Sequence, residues 1–341
     1  MFRSRRSSLS RQLWKLKSST EECNLAAKIK SSIHQILKSF DDDDLEQLVK
    51  AVDSSGTIQS DCVLAPVKGL RLGDELVSAN WLFMKIWRVS ELHNSVELKN
   101  LGYCSSGDDK PGYCCCNPYH WAVLQSTPDT YSTLKIKPDD LSSNLGYSSD
   151  CHGCAGFRST ECTGSVIWND VDEAPWCRIT YWEARERIGR LFTFSSPSVS
   201  LGNVTGSNTS AGICLTAMLA SWNPSAKTAS ARSKIGRGIR LFREGPITWI
   251  YNWGSSPVFV NSTWLGESGP VRLPSDHTTP VFDLRASSDL RKALQISSLE
   301  NKEGPQEVNS IIISLVKGWG RNYRRRFITD CPCWLEVILI A

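Results

Sequence analysis

GYCCCNPYHWAVLQ, residues 112–125, sets three adjacent cysteines directly before Asn117, Pro118, Tyr119 and His120. Such a stretch belongs to a disulfide knot, to a thiol beside its catalytic base, or to half of a metal site. Cys-His nucleophilic catalysis needs a third group to orient the imidazole, and no residue nearby offers one. The chain carries thirteen cysteines, an odd number, and its basic first twenty residues are not followed by the apolar run of a secretory signal. Reduced thiols and metal ligands therefore fit better than a disulfide framework. Cys115 and His120 have four residues between them, Cys104 lies upstream beyond the turn-like SSGDDKPG, and Cys62 is a further isolated thiol. Three cysteines and one histidine can close a tetrahedral zinc site with no position left for water. The spacing favours that site over unliganded buried thiols, but it does not separate Cys115 from Cys114 or Cys116. Cys151, Cys154, Cys162 and His152 form a second candidate group, although a lone C-x-x-C in a Ser/Gly-rich stretch is more often incidental.

Working outward, 341 residues are enough for two domains, each able to bury a core. No apolar stretch reaches the roughly 18 residues of a membrane helix, so membrane insertion is not expected. A formal net charge of +4 does not by itself imply a nucleic-acid partner. Arg3, Arg5, Arg6, Arg11, Lys15 and Lys17 make residues 1–18 a basic arm. Ser19 and Glu22 have capping-box spacing, and Leu25, Ile29, Ile33, Ile36, Leu37 and Phe40 keep helical period. Asp41 to Asp44 form an acidic start for a second helix carrying Leu45, Leu48, Val49 and Val52, ended by DSSGT. β-like runs are expected around Cys62–Val67 and Leu70–Trp87. Residues 126–174 are rich in Ser, Asp, Gly and Pro and read as a flexible linker. From residue 175 to 341 short strand-like runs (CRITYWE, RLFTFSS, GIRLFRE, ITWIYNW, PVFVNS, IIISLV and CWLEVILI) are separated by turn signals, the pattern of a β-sandwich. Ser287–Ser298 is a weak helix candidate.

LVKGWGRNYRRRF carries Lys317, Arg321, Arg324, Arg325 and Arg326 with no acid between them. Self-repulsion among these groups argues against a merely solvated face, and guanidinium forks suit phosphate oxygens. A second run, Arg232, Lys234, Arg237 and Arg240, alternates as on a strand and extends the expected groove for phosphorylated Ser or Thr. No convergent Ser/His/Asp set, paired carboxylates or phosphate loop appears, so an enzyme is not expected.

At CCNPYH the sequence resembles the end of the MH1 domain of Smad proteins, and the resemblance runs over nearly the whole chain. MFRSRRSSLSRQLW, DLEQLVKAVDSSG, CVLAP and FMKIWRVSEL resemble the N-terminus and MH1 core of inhibitory Smads. WCRITYWEARERIGRLF, ARSKIGRGIRL, SLVKGWG and RRFITDCPCWLEV resemble an MH2 domain, with YWE and the CPCWLE ending closest to the inhibitory branch. The implied fold is α+β. A zinc-stapled helical MH1-like domain with short strands covers 19–125, and an MH2-like β-sandwich with helices and a basic L3-type loop covers 175–341. The resemblance makes Cys62, Cys104, Cys115 and His120 the ligands of one structural zinc ion. Gly102 stands where the family places its second cysteine, and Cys104 is the nearest substitute.

The resemblance also implies an intracellular antagonist of TGF-β/BMP-type signalling, shared between cytoplasm and nucleus. Its MH2 groove, with Lys234, Lys317 and Arg325 at the matching positions, would engage phosphorylated type I serine/threonine kinase receptors and also receptor-activated or common Smads. Ser230 stands where some relatives carry another lysine, which implies a groove either weaker or recentred on Arg324 and Arg326. The chain ends at Ala341 without a C-terminal Ser-Ser-x-Ser, leaving the receptor kinase no acceptor there. The alternative is a nuclear transcriptional co-regulator acting through MH1 and DNA-bound partners. In the stretch matching the DNA-reading hairpin, KGLRLGDELVSANWLF, Arg71 is the only cation between Gly69 and Phe83, and Asp74 and Glu75 would repel phosphate. Contact with DNA is thus expected to be weak, through the arm, or indirect. Pro128 and Tyr131 are the remnant of a PPxY motif that recruits ubiquitin ligases; Asp129 removes the polyproline shape that a WW domain reads, weakening that contact.

Overall fold

The computed structural model describes residues 5–18, 23–67, 69–72, 75–93, 97–104, 110–125, 174–203, 211–265, 269–286 and 309–340. The Ser19/Glu22 capping box, Asp74, the linker residues Pro128 and Tyr131, the group Cys151, His152, Cys154 and Cys162, and the helix candidate Ser287–Ser298 lie outside the described residues. The chain divides at Leu124 into two compact units, each with its own apolar core. No helix among the described residues is long and apolar enough to cross a membrane.

The first unit begins with α1 (Arg5–Lys15), α2 (Cys23–Leu37) and α3 (Asp42–Asp53). The expected basic arm is therefore a docked helix. Its charges mask the apolar set Leu9, Leu13, Trp14 and Leu16, of which Leu13 is fully buried and the others pack against the same core. The Trp87 indole N–H donates to the Leu13 carbonyl (2.9 Å), and the Trp14 and Trp87 rings meet at 5.7 Å. Arg6 donates to the Leu37 carbonyl at the end of α2 (3.0 Å), and Arg5 pairs with Glu46. These cations satisfy the carbonyl end of a helix and a carboxylate of the same unit.

α3 starts where the acidic run predicts. The Asp44 N–H donates to the Asp41 carboxylate (2.8 Å) and the Asp41 N–H reaches back to Asp44, a reciprocal cap at the positive end of the helix. Leu45, Leu48, Val49, Ala51 and Val52 turn inward, and Ser55 (φ 50°) ends the run.

Strands β1 (Leu64–Pro66), β2 (Leu70–Leu72) and β3 (Glu75–Val77) follow, β2 and β3 pairing as a hairpin. The expected β-like run does not continue: Ala79–Trp87 is a helix, α4. Every residue of α4 except Lys85 is buried, and a helix that is apolar all round shows no 3.6-residue stripe. Phe83 packs on Trp87 (4.9 Å) and on Phe40 (6.1 Å) at the centre of the helical core. β4 (Leu98–Asn100), β5 (Tyr113–Cys115) and β6 (Trp121–Leu124) complete the unit, with β5 antiparallel to β1 and β4 antiparallel to β6.

In the second unit β7 (Cys177–Glu183), β8 (Glu186–Phe194), β9 (Ser198–Gly202), β10 (Ala211–Cys214), β11 (Ile239–Glu244), β12 (Ile247–Asn252), β13 (Val258–Ser262), β14 (Val271–Leu273), β15 (His277–Asp283), β16 (Ser310–Leu315) and β17 (Trp334–Leu339) form two sheets. One runs β14-β13-β16-β17-β7-β8, and the other contains β10-β9-β11-β12-β15. One core draws on both: Ile179, Tyr181, Val260, Ile313, Leu335 and Val337 from the first sheet, and Val199, Leu201, Leu241, Ile250 and Val281 from the second. This is the sandwich that the strand spacing predicts. A short helix, Ala226–Arg232, and the segment Lys317–Asp330 are the excursions from the sheets that carry the candidate cations.

Candidate functional site

Two sites emerge, one in each unit. In the first, the ligand atoms of Cys62, Cys104, Cys115 and His120 all lie within 4.8 Å of one another. The Cys62 and Cys104 sulfurs are 3.8 Å apart, and His120 Nδ1 is 3.3 Å from the Cys62 sulfur and 3.5 Å from that of Cys115. A tetrahedral zinc with legs of about 2.3 Å to sulfur and about 2.0 Å to nitrogen has S···S edges of about 3.8 Å and S···N edges of about 3.5 Å. The donor set and its spacing fit such an ion.

Each part of CCNPYH has a task here. β5 alternates its side chains, so Cys115 enters the cluster while Cys114 and Cys116 pack into the helical core. Asn117 is fully buried and accepts the Tyr119 N–H (3.0 Å), starting the 3-10 turn Pro118–His120. Its amide donates to the Ser60 hydroxyl (2.8 Å) and the Asp61 carbonyl (3.2 Å), tying that turn to the chain beside Cys62. His120 Nε2 is 3.1 Å from the Ser60 carbonyl. With the proton on Nε2, Nδ1 is left as the lone-pair nitrogen that faces the three sulfurs. The Asn117 N–H lies 3.4 Å from the Cys115 sulfur and favours its thiolate. Gly102 and Tyr103 form a turn closed by the Cys104 N–H on the Leu101 carbonyl (2.8 Å), which delivers Cys104 to the cluster two residues beyond Gly102.

Hydrogen bonds to the Cys104 and Cys62 sulfurs, with burial behind them, hold the Cys115 pKa far above that of an ordinary thiol. Burial pulls His120 down, but its bonds to the same two sulfurs outweigh that and push it up to about 9. Packed so closely, these groups cannot all take their ligating forms unaided, and a divalent cation is what would let them. Ser60 and Asn117 were not singled out from the sequence; the Asn-Pro dipeptide is the turn signal that points to the second.

The second site is the segment Lys317–Asp330. Trp319 is buried with Phe259, Cys331 and Trp334, and Trp334 stacks on Trp182 (5.0 Å, 9° between planes). Tyr323 meets Phe259 edge-on at 5.4 Å. A Cβ on Gly318 would lie 2.7 Å from the Tyr323 ring, so only glycine lets these aromatics close over the chain. The Gly320 N–H donates to the Arg325 carbonyl (2.8 Å) and the Tyr323 N–H to the Gly320 carbonyl (3.0 Å). On this base Arg321, Arg324 and Arg326 are exposed and Lys317 and Arg325 half-exposed. Among the described residues none of these five side chains forms an ion pair.

The second basic run does not form a strand. Arg232 closes the helix Ala226–Arg232, Lys234 lies in the turn after it, and of the four only Arg240 lies on β11. Gly238 (φ 69°) breaks any extended path, and a Cβ there would sit 1.9 Å from the Leu201 carbonyl oxygen. Arg240 is buried; it lies over the Trp253 ring (5.0 Å) and donates to Ser200 (3.2 Å), while Arg237 lies over the same ring (5.4 Å). Arg232 makes an internal ion pair with Glu183, a carboxylate that also accepts the Tyr181 hydroxyl (2.9 Å) and the Trp222 indole N–H (3.1 Å). Glu183 is 49 residues from Arg232, and no local signal links them. Of the run, Lys234 stays exposed to solvent, as does Ser230.

A helical unit closed on a Cys/His cluster, followed by a β-sandwich with a pinned basic loop, defines a two-domain architecture that the family comparison identifies. Residues 27–125 match the MH1 domain model and residues 174–340 the MH2 domain model. The chain belongs to the Smad family, in its inhibitory branch. It is 34% identical to Mothers against decapentaplegic homolog 6 of Gallus gallus over 340 residues, 92% of this chain and 76% of that protein. It is 33% identical to Mothers against decapentaplegic homolog 7 of Homo sapiens over 346 residues, 92% of this chain and 78% of that one. Dwarfin sma-3 of Caenorhabditis elegans is 30% identical over 287 residues, 76% of this chain and 71% of that protein. The solved interferon regulatory factor 9 IAD domain covers 51% of the chain at 9% identity with a TM-score of 0.35, too loose a match to carry an argument.

Removing one partner of the Arg232–Glu183 pair leaves a charge with little solvent around it. Glu183→Ala is expected to destabilise the sandwich by about 3 kcal/mol, and the paired change Glu183→Leu with Arg232→Met by much less. Urea midpoints of the three proteins measure the difference.

Proposed function

We propose that this protein is a non-enzymatic antagonist of TGF-β/BMP-type signalling that works through the basic surface of its MH2 domain. Its targets are phosphorylated type I serine/threonine kinase receptors and, through the same domain, other Smads. Occupying the receptor blocks phosphorylation of the receptor-activated Smads that would otherwise dock there. The observation that carries this reading is the Lys317–Arg326 loop: five cations on a base pinned by buried aromatics, none ion-paired among the described residues. Desolvating a doubly charged phosphate is offset only where several donors already converge, and guanidinium groups supply paired N–H donors for it.

Cys62, Cys104, Cys115 and His120 would hold one structural zinc ion, which when bound would offset two of the three thiolate charges and tie the segments of Cys62 and Cys104 to β5 and the 3-10 turn. The four protein ligands leave it no open position for a substrate. DNA is a weak or indirect partner in this reading, since Arg5 and Arg6 are engaged within the first unit. The protein acts in both cytoplasm and nucleus.

The full chain is expected to retain the phosphorylated cytoplasmic segment of a type I receptor and to release the unphosphorylated one. Lys317→Glu combined with Arg325→Glu removes that selectivity. Tight DNA binding untouched by the two changes, with no receptor selectivity in the parent chain, would favour the co-regulator instead.

For the metal, elemental analysis is expected to find about one zinc per chain, lost in Cys115→Ser together with the cooperative unfolding of the first unit. The ligating forms are deprotonated thiols and a neutral imidazole, so the ion is retained at neutral pH and released as the pH falls.

A further inference from the structure

Resting on the reading of the basic loop as a phosphate site, we propose that Phe327 is the apolar half of that site. The ligand is then a phosphorylated segment with an aliphatic or aromatic side chain one or two residues from its phosphate. Phe327 directly follows Arg324, Arg325 and Arg326, and 69% of it is exposed. Among the described residues the next most exposed aromatic is Tyr103, at 43%, and its hydroxyl donates to the Tyr119 carbonyl (2.7 Å). Phe327 has no polar atom to put in water.

Single exposed apolar side chains are ordinary on protein surfaces. This one differs in how firmly its backbone is held. The Phe327 N–H donates to the Asp330 carboxylate (3.1 Å), the Asp330 N–H returns to the Phe327 carbonyl (3.1 Å), and the Cys331 N–H closes on the Ile328 carbonyl (2.8 Å). Ile328 packs against the cluster of Phe259, Trp319, Cys331 and Trp334. The ring therefore projects from the same aromatic base that carries the cations. A ring carried on a backbone already fixed in the free protein spares a partner the entropy cost of ordering that backbone, which favours a binding hot spot.

The spacing sets the register of the ligand. Phe327 is two residues from Arg325, at most about 7 Å along the backbone, which is also the reach of two residues of an extended ligand. A segment whose phosphate meets the guanidinium groups must then lay its next or next-but-one side chain on the ring. A polar side chain there gains nothing, whereas an apolar one buries both surfaces. The cations give affinity for any phosphate, and Phe327 selects among phosphorylated segments.

The test uses the full chain and two fluorescent phosphoserine dodecapeptides, one with Leu at the two positions on each side of the phosphoserine and one with Gly at all four. The parent chain is expected to bind the Leu probe about tenfold more tightly than the Gly probe. Phe327→Ala abolishes that preference by weakening only the Leu probe, and Phe327→Leu keeps most of it. Equal binding of the two probes by the parent chain, or an equal loss of both in Phe327→Ala, overturns the proposal. So does a preference unchanged in Phe327→Ala while binding to phosphatidylserine vesicles is lost, since the ring would then face a membrane surface. Lys317→Glu with Arg325→Glu distinguishes this from the underlying reading. Loss of both probes in that variant leaves the phosphate site standing whatever Phe327 does, and undiminished binding removes the site itself.

Discussion

Five like charges can be held on one short loop only if something other than charge fixes the loop, and here that is the aromatic packing beneath it. Trp319, Phe259, Trp334 and Cys331 form a small satellite core under the segment, extended by Trp182 and Tyr323. Repulsion between neighbouring guanidinium groups tends to splay a free loop apart. The apolar anchor and the bonds from Gly320 and Tyr323 within the loop oppose that tendency. The result is a loop whose backbone is fixed in folding while its cations remain at the surface.

The cations of this chain divide by burial into two kinds of work. Arg6 caps a helix, Arg232 neutralises Glu183, and Arg237 and Arg240 lie over Trp253; each supports the fold. Lys317, Arg321, Arg324, Arg325 and Arg326 stay exposed or half-exposed with no acid partner among the described residues. Formal charge says nothing of this division, because it depends on which acid or carbonyl the fold brings to each side chain. In the first unit the same logic applies to sulfur. Cys115 joins Cys62, Cys104 and His120, whereas Cys114 and Cys116, its immediate neighbours, serve the apolar core.

Much of this was legible in the sequence wherever a local rule was enough. The acidic start of α3, the turn-separated runs of the sandwich strands, and the presence of a Cys/His donor set rest on patterns that a reader can count, while the choice of Cys115 within the triplet rests on the resemblance to MH1 domains. Strand alternation divides the cysteine triplet once β5 is recognised, and the Asn-Pro dipeptide is the turn signal by which Asn117 can be found. What was not legible depends on burial or on distant partners. α1 reads as an arm because its cations Arg5, Arg6, Arg11 and Lys15 outnumber its apolar residues Leu9, Leu13 and Trp14, and only docking shows Leu13 at zero exposure. α4 reads as β-like in the sequence because a helix buried on nearly every side has no stripe. Arg232 reads as a groove cation because Glu183, 49 residues away in the chain, gives no local sign of being its partner.

Amide hydrogen exchange in the free full-length chain tests the central claim, that the cationic loop is ordered before any ligand arrives. The Gly320 and Tyr323 amides, bonded to Arg325 and Gly320, should be protected to nearly the extent of the β16 and β17 amides. Exchange at both positions at the rate of an unstructured chain, in a protein whose strands remain protected, would contradict the account.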